Sequence, residues 1–394
     1  MINEKAYALG AQRSVIRELF EYGKQRAAIV GADNVFDYSL GNPSIPSPKE
    51  VNDAIRDILQ DTDPLQVHGY TSAVGDLQTR QAIADDLNKR FEANAKPEEL
   101  FIGCGAAPEL TAVLRALAVP GAEILAIAPY FPEYKPFAEE AGFVFRVVPP
   151  DVPAFQIPMD TLEQMLTPQT AAVIVNSPNN PSGTVYTAQT LHQLGALLTR
   201  KAGEYGHPIY IIADEPYREL VYDGVTVPFI PNIYPDTVVC YSYSKSLSLP
   251  GERIGYVYVP SQAQDSKDLY TAIAGAARSM GHVCAPSLLQ KVIARCAHLR
   301  PDLAAYDRNR RLLYEGLVDA GYEVAKPDGA FYLFVKAPGG DANAFSERAK
   351  EKDLLVVPGD GFGCPGYFRV CYCVKQEMIK KSIPIFRELI DGGC

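Results

Sequence analysis

The sequence is short of positive charge, of histidine, of paired cysteines and of long apolar runs, and each shortage narrows what the chain can be. Its 37 Lys and Arg stand against 47 Asp and Glu, a formal net charge of −10 over 394 residues. An acidic surface leaves no electrostatic footprint for nucleic acid and nothing to attract an anionic membrane, so any bound anion must be held by local groups working against the average. The five histidines are scattered, and the eight cysteines (Cys104, Cys240, Cys284, Cys296, Cys364, Cys371, Cys373 and Cys394) include no Cys-x-x-Cys pair. That removes the usual zinc patterns and a secreted disulfide framework. No apolar run approaches the ~18 residues of a membrane span. The opening MINEKAYALG is charged and lacks the apolar core of a signal peptide. The expectation is a cytoplasmic protein with reduced cysteines, no metal, and neither nucleic-acid nor membrane partners. In FRVCYCV, Cys371 and Cys373 are two apart, which on a strand puts both on one face.

What is present is ordinary soluble-protein composition, 47% hydrophobic and 21% charged, in a chain long enough for one large or two ordinary domains. From about residue 50 to 285, short Val- and Ile-rich runs alternate with longer amphipathic stretches. The runs are EILAIA (123–128), FVFRVV (143–148), AAVIV (171–175), IYIIA (209–213), TVVCYS (237–242) and IGYVYV (254–259). They read as strands buried on both faces, and the stretches between them, such as 107–118 and 187–202, read as helices. That alternation predicts an α/β fold, a mostly parallel sheet covered by helices. After about 290 the texture becomes α+β: a helix over LAAYDRNRRLLYEGLVDAG closed by Gly321, strands at GAFYLFVKA and YFRVCYCV, and a last helix near 376–390. The predicted division is an N-terminal segment (1–45) joining a small domain, a large domain (46–288), and the small C-terminal domain itself (289–394).

Ligands of open α/β sheets sit beyond the carboxyl ends of the strands, and reactive groups collect there. After IYIIA comes DEPY, with Asp214 at the strand end and Tyr217 three residues on. After AAVIV comes NSPNNPSG, presenting Asn180. After FIGCG a small-residue loop opens a helix whose first N–H groups would face an anion. The stretch YSYSKSLSLPGERIGY (241–256) adds Ser242, Ser244, Lys245 and Arg253, with no acid beside the lysine. Singly, each group has a plain structural explanation: a solvated strand-end acid, a turn, a lone Gly-x-Gly. Together they propose a phosphate held by a helix N-terminus, a hydroxyl and an arginine, each charge-assisted bond worth about 1.5–3 kcal/mol. An amine and a carboxylate stand beside it. A ligand with a phosphate at one end and an aldehyde for a lysine suggests pyridoxal 5'-phosphate.

The ordered set YTSAVGDLQTRQAIA, GCGAAPEL, PYFPEY, NSPNNPSG, DEPY, SYSKSLSLPGERIG and FRVCYC resembles the class I/II aminotransferases, fold-type I pyridoxal-phosphate enzymes, over roughly residues 38–385. The resemblance implies that Lys245 holds the cofactor aldehyde as a Schiff base and, once freed, moves the substrate proton. Asp214 would keep the ring nitrogen protonated, while Tyr217 and Asn180 bond its phenolic oxygen. Glu215, on the opposite face of the strand, could not share the role of Asp214. The phosphate would be met by Ser242, Arg253, the backbone of Gly105, Ala106 and Ala107, by Ser244, and by Tyr70 from the second subunit of a homodimer. Phe131, ahead of Tyr130, would stack on the ring. Arg369 would clamp the substrate carboxylate bidentately, helped by the backbone N–H of Gly41.

Two departures bear on substrate. Similar enzymes often carry a hydroxyl where Ala107 stands, and some prokaryotic aspartate aminotransferases place there a lysine that reads a second carboxylate. Arg278, in GAARSMGHVCAPS, lies near where another branch supplies that charge from the partner subunit; an ordinary surface arginine is the alternative. The implied activity is transfer of an amino group from an L-amino acid, aspartate first, then alanine or an aromatic one, to a 2-oxo acid such as 2-oxoglutarate. A carbon–sulfur β-lyase of the same fold, using the same Lys245 and Asp214, is the alternative. A non-catalytic regulatory protein of this fold is a distant one, because no basic DNA-binding region precedes the first motif.

Overall fold

The computed structural model describes residues 1–11 and 14–391; Cys394 lies outside the described residues. Its strands in chain order are β1 (Phe36–Asp37), β2 (Leu100–Gly103), β3 (Glu123–Ile127), β4 (Val144–Val148), β5 (Thr170–Asn176), β6 (Tyr210–Asp214), β7 (Thr237–Ser242), β8 (Gly255–Tyr258), β9 (Tyr332–Lys336), β10 (Leu354–Leu355), β11 (Val357–Pro358) and β12 (Tyr367–Cys371). Each apolar run of the first two-thirds of the chain is a strand of one seven-stranded sheet, ordered β2-β8-β7-β6-β5-β3-β4. Only β8 runs against its neighbours. The side chains alternate between two cores: Val173 and Val175, Ile211 and Ala213, Val239 and Tyr241 pack into one. Ala172 and Ile174, Tyr210 and Ile212, Val238 and Cys240 pack into the other. That two-sided burial is why these runs are apolar throughout instead of alternating with polar residues.

A second cluster, rich in aromatic side chains (Tyr306, Phe331, Tyr332, Phe345, Phe368, Phe386), surrounds an antiparallel sheet of order β11-β12-β9. The helix Leu303–Asp319 precedes this sheet and ends just before Gly321, whose φ of 97° only glycine adopts freely. β1 pairs in parallel with β10, tying the stretch after the N-terminal helices to the C-terminal part of the chain. One expectation is shortened: β12 ends at Cys371, so Cys373 lies two residues past the strand. Among the described residues no helix is long and apolar enough to cross a membrane.

The registers decide where function can sit. Asn176 at the end of β5 faces Asp214 at the end of β6. Ser242 at the end of β7 faces Gly255, which in turn faces Gly103 at the end of β2. One edge of the sheet therefore gathers the loops after β2, β5, β6 and β7.

Candidate active site

A cavity of about 300 Å³ opens at that edge. Lys245, Asp214, Asn180 and Tyr217 line it, as do Ser242, Ser244 and Arg253. So do Ala106, Ala107, Phe131, Gly41 and Arg369. Sequence positions as far apart as Ile16 and Arg369 thus converge on one space.

Asp214 is fully inside the protein. The Tyr134 hydroxyl donates to its Oδ2, and Asn176 Nδ2 donates to its backbone carbonyl at 2.8 Å. Its other carboxylate oxygen, Oδ1, is buried with no hydrogen-bond partner among the described residues. Burial raises the carboxyl from 3.8 to about 7, opposed by the Tyr134 bond and reinforced by Glu215. An unpaired buried carboxylate oxygen costs about 1–3 kcal/mol or more, so this acid suits a cationic donor arriving from the cavity. A protonated ring nitrogen meets that requirement. Glu215 is engaged elsewhere, paired with the buried guanidinium of Arg218, which leaves Asp214 as the acid on the cavity side.

Lys245 Nζ donates to the carbonyl of Gly41 at 2.7 Å and sits 5.5 Å from the centre of the Phe331 ring. Burial lowers its amine below the usual lysine value; Cys373 and Cys371 work against this, and Arg369 and Arg253 add to it. Gly41 owes its identity to crowding: a Cβ there would stand 2.1 Å from the Tyr332 hydroxyl.

A cup for an anion lies beside the lysine. The helix Ala106–Leu117 starts after Gly105 with no side chain capping its first N–H groups. Gly105 has φ 94°, and a Cβ there would come 3.0 Å from Arg253 Nη2, so glycine is needed for both conformation and approach. Ser242 caps the short helix Tyr243–Ser246, and its hydroxyl lies 2.8 Å from that of Ser244. Arg253 bonds only a backbone carbonyl, that of Pro250 at 3.2 Å, and no carboxylate within 4 Å pairs with it among the described residues. Free N–H groups, two hydroxyls and an unpaired guanidinium fit a phosphate.

Arg369, which is buried, also has no carboxylate partner among the described residues. Its Nη1 donates to Asn180 Oδ1 at 2.9 Å, its Nη2 donates to the Ser39 carbonyl, and Nε has no partner among the described residues. The guanidinium stacks on Tyr332 at 4.7 Å and on Phe362 at 5.1 Å. A structural role would call for a buried acid; its absence among the described residues leaves the fork available for an incoming carboxylate.

Three expected residues are not part of this cavity's lining: Gly105, which precedes the helix Ala106–Leu117, and two exposed ones. Tyr70 is 97% exposed, and Arg278 is exposed near the end of the helix Ser266–Ser279. Tyr130 packs against Phe145 and does not line the cavity, whereas Phe131 does. Sequence reasoning missed Tyr134, Asn176, Tyr332, Ile16 and Leu40. Tyr134 belongs to PYFPEY and Asn176 opens NSPNNPSG, so a signal existed for those two. Tyr332 bonds the Tyr217 hydroxyl at 2.8 Å. Glu109 was missed as well: it is buried, neither carboxylate oxygen has a partner among the described residues, and burial pushes it well above the usual carboxylate range, partly offset by Arg253.

The comparisons with known proteins agree with this geometry. The family model described as aminotransferase class I and II matches residues 33–384, which include every cavity residue except Ile16. The chain is 27% identical to aromatic-amino-acid aminotransferase 2 of Thermococcus litoralis, over 94% of each chain. It is 27% identical to the aspartate aminotransferase of Thermotoga maritima, over 94% of this chain and 95% of that one. Among solved structures, an aminotransferase from Eubacterium rectale superposes with a TM-score of 0.98 at 55% identity, covering 100% of this chain and 99% of that one. Aspartate aminotransferase from Thermus thermophilus with maleate gives 0.85 at 26% identity, over 99% of each chain. A sheet edge that offers an unpaired acid, a lysine and an anion cup within such a match has one reading: the chain belongs to the class I and II aminotransferases and is an enzyme that works with pyridoxal phosphate.

Proposed function

We propose that Lys245, Asp214 and Tyr217 carry out amino-group transfer from an L-amino acid to a 2-oxo acid in two half-reactions. The carrying observation is the buried, unpaired Asp214 Oδ1 in the same cavity as the Lys245 amine. Pyridoxal phosphate, when bound, supplies an aldehyde for an amine and a ring that accepts electrons from the substrate α-carbon. Asp214 would hold a proton at the ring nitrogen. Tyr217 and Asn180 would donate to the phenolic oxygen, with Tyr332 orienting the Tyr217 hydroxyl. Ser242, Ser244, Arg253 and the N–H groups at Gly105, Ala106 and Ala107 would hold the phosphate, and Phe131 would cover the ring. Lys245, its amine lowered by burial, would first anchor the aldehyde and then take and return the proton at the α-carbon. Arg369, with the Gly41 N–H, would fix the α-carboxylate.

The donor follows from which charges remain. The cavity's three cations, Lys245, Arg253 and Arg369, all have work in this scheme, and the wall carries apolar Ile16 and the 40%-exposed Leu40. We infer an aromatic or other apolar donor, and the Thermococcus litoralis relative is named for aromatic amino acids. Aspartate, the expectation from sequence, would need Arg278 from a second copy, and 2-oxoglutarate would ask the same of it. The exposure of Tyr70 supports a homodimer in which it reaches the other copy's phosphate. A cytoplasmic location remains part of the proposal. So does a domain division near residues 45 and 300: the second boundary moves later than 288 because the helix Ser287–Cys296 buries Leu289, Val292 and Ile293 in the same core as Val51, Ile58 and Ile83.

The test is a donor screen following the cofactor's absorbance in single half-reactions with phenylalanine, alanine and aspartate, for the wild type and Arg278→Ala. Phenylalanine should react fastest, with little effect of the substitution. Aspartate leading, and falling selectively in Arg278→Ala, would reverse the donor assignment. Pyruvate and ammonia formed from a cystathionine-like substrate, with the sulfur group leaving Cβ and without any oxo-acid acceptor, would make the enzyme a lyase.

A further inference from the structure

The proposed chemistry leaves two nucleophiles unused beside the active site. Cys371 closes β12, two residues after Arg369, and Cys373 follows it by two more, so the arginine and Cys371 share a strand face. Cys371 Sγ and Cys373 Sγ are 2.7 Å apart, and both side chains are buried. Closing that gap to a disulfide bond of ~2.04 Å takes a movement of only about 0.7 Å.

Their surroundings place them just behind the cavity wall. The Cys371 N–H donates to the Tyr38 carbonyl at 3.1 Å, and Cys373 Sγ lies 3.9 Å from the carbonyl of Leu40. Leu40, Gly41, Lys245 and Arg369 all line the cavity, so the pair lies against the stretch 38–40, next to the segment that both cations bond. Burial works against ionising either thiol. The Cys373 thiol and Arg369 nevertheless bring Cys371 below its ordinary value, while burial and the Cys371 contact push Cys373 well above it. The two sulfurs are thus shifted in opposite directions, Cys371 being the easier of the two to ionise. That is the division of labour between an attacking and a resolving cysteine.

We propose that Cys371 and Cys373 form a reversible dithiol–disulfide modification site whose partner is a small peroxide. The Cys371 thiolate attacks one peroxide oxygen, the O–O bond breaks, and the departing oxygen leaves as water after protonation. Cys371 is thereby oxidised to a sulfenic acid. The Cys373 sulfur then attacks Cys371 Sγ, the S–O bond breaks, and a second water leaves as the S–S bond forms. In total, two thiols and one hydrogen peroxide become one disulfide and two waters. A dithiol reductant reverses the change by exchange.

The sequence supplies a direct readout, independent of turnover and of donor identity. Trypsin cutting after Arg369 and Lys375 releases VCYCVK, which contains both cysteines and no others. The cofactor-bound enzyme is titrated with hydrogen peroxide until the half-buried Cys104 and Cys284 have reacted, then alkylated and digested. Expected is complete loss of both alkyl labels from VCYCVK, with a peptide lighter by two hydrogens; reduction before alkylation restores both labels. Cys373→Ser should instead stop at a Cys371 sulfenic acid that a sulfenic-acid probe captures. The proposal is overturned if wild-type VCYCVK keeps both labels after Cys104 and Cys284 have reacted. It is equally overturned if its oxidation is not reversed by reductant.

Discussion

Asp214 allows a test of the site that needs no substrate. Burial raises its carboxyl from 3.8 to about 7, so the folded chain keeps a proton that the unfolded chain has released. Between those two values the folded state binds more protons, and its stability must fall as pH rises. The contribution is fully present below about pH 4 and gone above about pH 7. At ~1.36 kcal/mol per pH unit, a shift of that size comes to about 4 kcal/mol. Asp214→Asn is neutral at every pH and still offers the Tyr134 hydroxyl an acceptor. The assay is urea unfolding of both proteins, cofactor-free, at several values from pH 5 to pH 8. Other carboxylates with the same sign, Glu109 and Glu215, are present in both proteins, so the difference between the two curves isolates Asp214. The wild type should lose about 2–3 kcal/mol relative to Asp214→Asn across that window. Curves that stay parallel would refute the claim that Asp214 is a buried acid awaiting a cation.

Lys245→Ala should leave a folded protein that still binds cofactor but has negligible turnover; near-normal transamination by that variant ends the assignment. Arg369→Lys keeps a charge and loses the planar fork, so kcat/KM should fall about 100-fold, or ~2–3 kcal/mol, with cofactor affinity unchanged; an equal loss of cofactor affinity would contradict a carboxylate clamp. Tyr134→Phe removes the hydroxyl that donates to Asp214 Oδ2, which should cost about 1–3 kcal/mol in urea unfolding and raise the Asp214 carboxyl further; an unchanged pH profile would show that bond to be idle. Arg218→Met strands Glu215 without its partner, and a loss of about 3 kcal/mol or more is expected; a neutral result would mean the pair is solvated.

The strands were legible because burial on both faces leaves an unbroken Val/Ile run, and β5, β6 and β7 are such runs. The end of β12 was not, because FRVCYCV stays apolar past the point where its ladder with β9 stops. Asp214, Tyr217, Asn180, Ser242 and Lys245 were legible because each ends or closely follows a strand of the main sheet, where chain order fixes their edge, whereas Arg369 on β12 was legible only through the resemblance. Tyr134 and Tyr332 were not: their value lies in hydroxyl contacts to Asp214 and Tyr217, 80 and 115 residues away, and a tyrosine in an apolar stretch reads as core. Glu109 was hidden for the opposite reason. A glutamate in the first turn of a helix reads as a favourable solvated charge, and only the packing of Gly103, Gly255 and Arg253 around it reveals that it is enclosed. Tyr70 and Arg278 concern a second copy of the chain, and a single chain's pattern carries no trace of where that copy lies.

The stretch 39–41 has a consequence for measurement. Two cations of the cavity are quenched by it: Arg369 through the Ser39 carbonyl and Lys245 through that of Gly41. Any carboxylate or aldehyde that engages those groups competes with main-chain oxygens already there. A titrated affinity therefore reports the surplus of a swap, the gain of the new charge-assisted bond less the carbonyl bond it displaces, so modest dissociation constants are compatible with tightly specified recognition. Substitutions that bend the backbone at 39–41, although they touch no substrate atom, should register as changes in apparent ligand affinity.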